Sequence, residues 1–242
     1  MDRRLVDALR DIVGHDGLVS AADQRLVYEC DMLVYYKGMP DLVALPRSTA
    51  EVQAVVRRCL EAGVPIVPRG SGTGLIGGAT APQGGVMIGL NRMTRVVEID
   101  PLNRYAVVEA GVVNLALTRA TEGRGYFFAP DPSSQMVSSI GGNASTNAGG
   151  PHCLKYGITV NHILGLQVVT GAGELVWLGG KVPERPGYDL TGVVVGAEGT
   201  LGLVTAVVVR LTHVPEAVRT LLASFASIED ASEAVSAIVA AG

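Results

Sequence analysis

Three glycine-rich stretches constrain this chain more than anything else in it: residues 70–78, 141–150 and 196–202. Glycine supplies 31 of the 242 residues, roughly twice its usual share. The glycines cluster instead of recurring at every third position, which excludes a collagen-like chain. Hydrophobic residues make up 48% of the sequence and charged residues 17%. That composition supplies a buried core and lacks the signature of disorder. Segments without core-forming side chains therefore interrupt a chain that must bury a core. Long loops in compact domains are usually shaped by function.

The first stretch runs Pro65-Ile66-Val67-Pro68-Arg69-Gly70-Ser71-Gly72-Thr73-Gly74-Leu75-Ile76-Gly77-Gly78. Glycines let such a backbone approach a ligand closely and turn consecutive N–H groups toward an anion. Residues 72–77 match GxGxxG after a predicted strand, with Glu98 about twenty residues on. A dinucleotide fold of that type needs a helix immediately afterwards, because the pyrophosphate sits on its N-terminus. Residues 77–85, GGATAPQGG, cannot supply one. The Rossmann reading fails on context, and a plain glycine-rich surface loop stays as the alternative.

The second stretch runs from Pro130 through Asp131, Ser133, Ser134, Ser138 and Ser139 into IGGNASTNAGG at 140–150. It is nearly free of charge and dense in small donors, suited to phosphates and a polar ring edge; alone it reads also as a long turn region. The third, GAEGTLG at 196–202, taken alone is a hairpin turn or a ligand loop in equal measure.

Around these loops the sequence predicts an amphipathic helix to about residue 14, with Leu5, Ala8, Leu9 and Ile12 on one face, and a short helix over 23–31. A strand over 41–45 precedes a helix that Ser48 and Glu51 open as a capping box and Gly63 stops. Strands follow over 64–68, 86–90 and 96–99. This β-α-β rhythm predicts parallel pairing. Beyond residue 105 the pattern predicts strands over 106–109, 163–169, 175–178, 192–195 and 203–211, with a helix over 114–122 and a turn at 170–173. That half is expected to be α+β with antiparallel pairing, and Trp177 and the valine-rich strands are assigned to the core. A strand over 221–225 and a helix capped by Ser227 and Asp230 close the chain.

Taken together, PRGSGTG, IGGNASTNAGG, Lys155-Tyr156-Gly157 and GAEGTLG resemble the FAD-linked oxidases of the vanillyl-alcohol oxidase type. The nearest branch is similar to the FAD subunit of glycolate oxidase and to D-lactate and D-2-hydroxyglutarate dehydrogenases. The resemblance implies an α+β fold of two subdomains, about 41–100 and 105–215, with FAD in the groove between them. Residues 1–40 would be an N-terminal helical segment and 216–242 the start of a cap domain. In that scheme Pro68, Arg69, Gly70, Ser71, Gly72, Thr73 and Gly74 wrap the pyrophosphate. Pro130, Asp131, Ser134, Ser138 and Ser139 reach the pyrophosphate, ribityl chain or isoalloxazine edge. Gly142, Thr146, Asn147 and Gly149 line the flavin, Tyr156 donates to it, and Glu198, Gly199 and the backbone near Val204 hold the adenosine end.

The implied chemistry is oxidation of the CH–OH group of a 2-hydroxy acid of the glycolate or D-lactate type, with hydride passing from C2 to flavin N5. Thr73 stands where relatives with a covalent flavin carry histidine, so FAD is expected without a covalent bond. The electron acceptor, or an iron–sulfur partner subunit, would be separate. The family's histidine-containing substrate and metal site has no counterpart in this sequence, so as this chain alone the enzyme is expected to be incomplete. The alternative is a non-catalytic flavin-carrying subunit that needs a partner chain.

Other chemistry finds little support. The four histidines show no metal-ligand spacing, and no metal is expected. His152, just after the second loop, is the one candidate general base, against the plainer reading of an exposed or backbone-bonded histidine. Arg69 either binds phosphate or pairs on the surface, and Tyr156 either donates to the cofactor or is a buried tyrosine bonded to backbone. A net charge of −4 with three lysines gives no footprint for nucleic acid. The N-terminus has no signal-peptide core, residues 190–211 fit buried strands better than a membrane span, and three scattered cysteines read as reduced thiols. The protein is expected to be cytoplasmic.

Overall fold

The computed structural model describes residues 1–182 and 187–241. The helices are α1 (Arg3–Val13), α2 (Ala22–Arg25), α3 (Thr49–Glu61), α4 (Asn114–Glu122), α5 (Ile140–Thr146), α6 (Cys153–Tyr156), α7 (Leu190–Val194) and α8 (Ile228–Ala241). The strands are β1 (Leu18–Val19), β2 (Leu42–Ala44), β3 (Ile66–Arg69), β4 (Val86–Gly89), β5 (Val96–Asp100), β6 (Tyr105–Glu109), β7 (Tyr126–Phe127), β8 (Ile163–Val169), β9 (Leu175–Gly179), β10 (Leu203–Arg210) and β11 (Thr212–His213).

Two sheets carry the α+β fold. The first has strand order β1-β2-β4-β3. In it β2, β4 and β3 run parallel while β1 closes the edge antiparallel. The second, β5-β6-β10-β8-β9, is antiparallel throughout.

Helix α3 links them. Ser48 Oγ accepts the Glu51 amide at 3.2 Å, while the Glu51 carboxylate takes the amide of Arg47 at 2.7 Å. Both ends of the predicted box are thus used, one residue off the reciprocal pattern. Val52, Val55, Val56 and Cys59 fall on one face and are fully buried with Leu5, Leu9 and Val13 of α1. Each such aliphatic side chain contributes about 1.5–3 kcal/mol by leaving water. Burial also pushes the Cys59 thiol up to about 11. The polar edge of α3 reaches the second sheet: Thr49 Oγ1 donates to Gln167 Oε1 at 2.8 Å, and Gln53 and Arg57 donate to the Gly173 carbonyl at 2.8 and 3.0 Å.

Several expectations need correcting. Residues 192–195 are not a strand; α7 ends there at Val194, opened by Asp189, whose Oδ1 accepts the Gly192 amide at 3.0 Å. A run of β-branched residues misleads where a cap and packing decide otherwise. Residues 140–146, read as loop, form α5. The helix over 23–31 is only the single turn α2 followed by a 3-10 turn. Residues 221–225 form no strand and pair with none of the described residues, and Leu221 and Leu222 are almost wholly exposed. Trp177 is 50% exposed on β9 instead of buried. Among the described residues no helix is long and apolar enough to cross a membrane.

Candidate functional site

A cleft of about 370 Å³ opens between the two sheets, within the range of small-molecule sites. The parallel strands β3 and β4 point their C-terminal ends into it, the position where such sheets present ligands. Its floor is aliphatic: Leu90 beyond β4, Ala110 beyond β6, and Leu203 and Val204 of β10.

The first glycine loop leaves β3 at Arg69 and forms one wall. From Ser71 to Ala79 no amide finds an acceptor among the described residues. The loop keeps its shape through other groups. Arg69 Nη1 donates to the Ala79 carbonyl at 2.9 Å and so ties the loop's two ends together. The guanidinium lies 5.6 Å from the Tyr28 ring centroid. Burial holds it below the usual arginine range, opposed by the nearby Asp31 carboxylate. The Met32 amide donates to the Gly74 carbonyl at 3.1 Å. A braced arc of free amides is an anion-binding concavity.

The second and third loops turn their hydrogen bonds inward. Ser139 Oγ caps α5 by accepting the Gly142 amide at 3.2 Å. The amides of Ile140 and Gly141 donate to the carbonyls of Val112 and Ala110. Beneath the helix, buried Asn114 Nδ2 donates to Pro130 O at 3.0 Å and Asn143 Oδ1 at 3.1 Å, and Asn143 Nδ2 donates to Ser138 Oγ at 3.2 Å. At the far end of α5, the amides of Gly196 and Glu198 reach the carbonyls of Ala144 and Ser145 at 2.9 and 2.8 Å. The third loop thus satisfies carbonyls that a helix terminus leaves open.

Two glycines fix the junction with the first loop. A Cβ on Gly70 would lie 2.6 Å from Ser139 Oγ, and one on Gly199 2.5 Å from Pro68 Cγ. Gly199 also has φ +81°, and its neighbour Glu198 takes the left-handed region at +54°. Only glycine accepts both conditions at position 199.

The structure thereby brings residues 68–74, Ser134, Ser138, Ser139, Gly142, Thr146, Glu198, Gly199 and Val204 onto one cleft. It leaves Pro130, Asp131, Asn147, Gly149, Tyr156 and His152 off that lining. Pro130 is held by Asn114. Asn147 closes α5 at φ +48°, with Oδ1 accepting the Val160 amide at 2.9 Å. Gly149 lies beside Cys153. Tyr156 stands edge-on to Phe127, and its carbonyl bonds His162 Nε2 at 2.8 Å. Asp131 Oδ2 lies 2.5 Å from His152 Nδ1, and Glu98 is bonded to Tyr105 and Lys181. Arg69, offered as a phosphate ligand or a surface ion pair, lines the cleft and gives Nη1 to the Ala79 carbonyl. Lining residues that sequence reasoning passed over include Ser133, Asn143 and Ser145, all inside its second motif, and Asp31, which no local pattern marks.

These groups fit FAD. Free amides suit its pyrophosphate, the serine and threonine hydroxyls its sugar-like chains, and the aliphatic floor a flat ring; an unpartnered Asp31 Oδ2 faces the same wall.

Comparisons with known proteins agree. Residues 40–179 match the family model described as an FAD binding domain. The chain is 44% identical over 236 residues to the glycolate oxidase subunit GlcD of Bacillus subtilis, covering 97% of this chain and 50% of that protein. It is 37% identical over 201 residues to a D-lactate dehydrogenase of Anaerostipes hadrus, covering 83% and 42% respectively. Among solved structures, alkyldihydroxyacetonephosphate synthase superimposes with a TM-score of 0.79 at 26% identity, over 90% of this chain and 45% of that one. The chain spans about half the length of the curated relatives it matches. With this match over more than half its length, and with the two-sheet cleft that carries it, the chain belongs to the FAD binding domain family, in the fold of the vanillyl-alcohol oxidase type.

Proposed function

We propose that this chain is the FAD-binding part of a flavin-dependent dehydrogenase or oxidase acting on a 2-hydroxy acid of the glycolate or D-lactate type. The observation that carries the reading is the 44% identity to a glycolate oxidase subunit along 97% of the chain. Bound FAD supplies a two-electron oxidant able to take a hydride from the hydroxyl-bearing carbon. The chain's residues bind and orient it. The amides of 71–79 receive the pyrophosphate, with Pro68 to Gly74 as its wall. Ser134, Ser138, Ser139, Gly142 and Thr146 face the ribityl and ring portions, and Glu198, Gly199 and Val204 the adenosine end. Thr73, in place of a histidine, supports non-covalent attachment.

His152 is the candidate base. Its Nδ1 pairs with Asp131 Oδ2, and a proton held on Nδ1 would leave Nε2 as the acceptor that a base needs. The relative's designation as a subunit favours a partner chain carrying electrons onward, and a cytoplasmic setting fits the reduced thiols. A second reading, a flavin-carrying module inactive without a partner, is favoured by the same designation.

The test is to load the purified chain with FAD, remove the excess by gel filtration and record the flavin spectrum. Glycolate or D-lactate is then added without oxygen. Bleaching supports the enzyme reading. Retained yellow colour without bleaching supports the carrier, and a colourless protein overturns both.

A further inference from the structure

Asp31 differs from every other polar group of the cleft. It is 5% exposed and lies between α2 and β2, against the wall formed by residues 68–79. Its Oδ1 accepts the Leu33 amide at 2.8 Å, whereas Oδ2 is buried with no partner among the described residues. Arg69 acts on this carboxylate through space but gives its hydrogen bond to Ala79. A carbon at the Cβ position of Gly74 would lie 3.6 Å from Oδ2 and meet nothing else within 4 Å. The Gly74 backbone leaves that position open toward the oxygen, and no other group among the described residues approaches it.

A buried acceptor without a donor costs free energy, and an ionised carboxylate can only accept. The oxygens of a pyrophosphate also only accept, so Asp31 cannot serve that part of a dinucleotide. What satisfies Oδ2 must bring a proton. Beside the phosphates of FAD, the groups that do so are the hydroxyls of the ribose and of the ribityl chain. We propose that Asp31 is a ligand-reading residue of this cleft, its Oδ2 accepting a hydrogen bond from a sugar or sugar-alcohol hydroxyl next to the FAD pyrophosphate. The inference rests on FAD as the ligand. Dinucleotide folds of the Rossmann type use an acid on a ribose hydroxyl in a comparable way. There the acid follows the glycine loop, and here Glu98 in that place is tied to Tyr105 and Lys181. The acid that faces the loop comes from upstream of it.

The test is calorimetric titration of the full chain and its Asp31→Asn variant with FAD, ADP, FMN and inorganic pyrophosphate. Asn keeps the acceptor for Leu33 and turns the Oδ2 position into a donor. FAD affinity is expected to fall about tenfold or more, with the same fall for ADP if the ribose supplies the hydroxyl, or for FMN if the ribityl chain does. Pyrophosphate affinity should hold or rise, and the unliganded melting temperature should stay within about 2 °C. An equal loss for pyrophosphate would mean that Asp31 only shapes the loop, and unchanged FAD affinity would also overturn the assignment. Should Asp31→Asn not fold, Asp31→Ser keeps a short acceptor for Leu33 and must show the same FAD loss. Should neither fold, wild-type protein must bind ADP more tightly than 2′,3′-dideoxy-ADP, or FMN more tightly than a flavin alkyl phosphate of the same chain length without the ribityl hydroxyls, and equality in both pairs overturns the proposal. Wild-type protein that binds no FAD refutes the cofactor reading itself, a result distinct from any of these.

Discussion

The first and second glycine loops are built from nearly the same residues and use them in opposite ways. Residues 71–79 leave their amides without an acceptor among the described residues and are braced from outside, by Arg69 on Ala79 and by Met32 on Gly74. Residues 138–147 spend their hydrogen bonds on one another and on Asn114, and become a capped helix. Glycine and serine therefore do not encode a loop as such. A segment stays open for a ligand when no neighbouring carbonyl meets its amides, and folds when one does. The first loop follows a parallel strand into open space, whereas Val112 and Ala110 stand ready for the second.

If that contrast holds, damage where the loops touch should strike both stability and ligand binding. Gly199→Val adds a branched side chain at φ +81° against Pro68. Left-handed strain and overpacking each cost about 1–3 kcal/mol, so a loss of about 3 kcal/mol or more is expected in urea unfolding, with FAD binding abolished. A stable variant that binds FAD would dissolve the junction.

Within the second loop the effect should fall on stability first. Asn143→Ala strips partners from Asn114 and Ser138, both buried. Unpaired buried groups cost about 1–3 kcal/mol, and a loss near 2 kcal/mol in the denaturant midpoint is expected, with FAD affinity reduced only a few-fold. In the first loop the order reverses. Arg69→Met keeps the aliphatic stem and removes the tether to Ala79. Stability should change by under about 1 kcal/mol, while FAD affinity falls about tenfold, near 1.4 kcal/mol. Equal ratios of the two effects in both variants would erase the distinction between the loops.

The sequence makes the frame legible where local signals and packing agree. Helix α4 and strand β8 occupy the residues predicted for them, because apolar period and flanking breakers concur. The first loop is readable because GGATAPQGG can be nothing but loop. Helix α5 is not, since Gly141 and Gly142 are poor helix formers and its stability comes from Ser139 and from strands far away in sequence. The same holds for α7, whose valines suggest a strand until Asp189 caps them. Most cleft residues are legible through their motifs. Asp31 is invisible, because its meaning lies in what it faces and not in its neighbours along the chain.

The smallest expected effect separates the regions by pH. His162 sits below the second loop, buried against Phe128, with Nε2 donating to the Tyr156 carbonyl at 2.8 Å and Nδ1 without a partner among the described residues. Burial depresses its pKa below the ordinary 6.5, with Arg210 adding to the effect and the bond to Tyr156 opposing it. The unfolded chain therefore takes up a proton as pH falls through 6.5, before the folded chain does. Stability contributed by the neutral ring is complete above that pH and drains away below it, down to the folded value. His162→Gln, which keeps a donor toward Tyr156, should flatten this part of the stability–pH curve measured by urea unfolding between pH 7.5 and about 5. It should leave FAD affinity at neutral pH unchanged, because the ring supports the frame behind the second loop and not the open amides of the first. A flattened curve accompanied by weaker FAD binding would show that the two loops are coupled through the core, and the contrast between them would have to be given up.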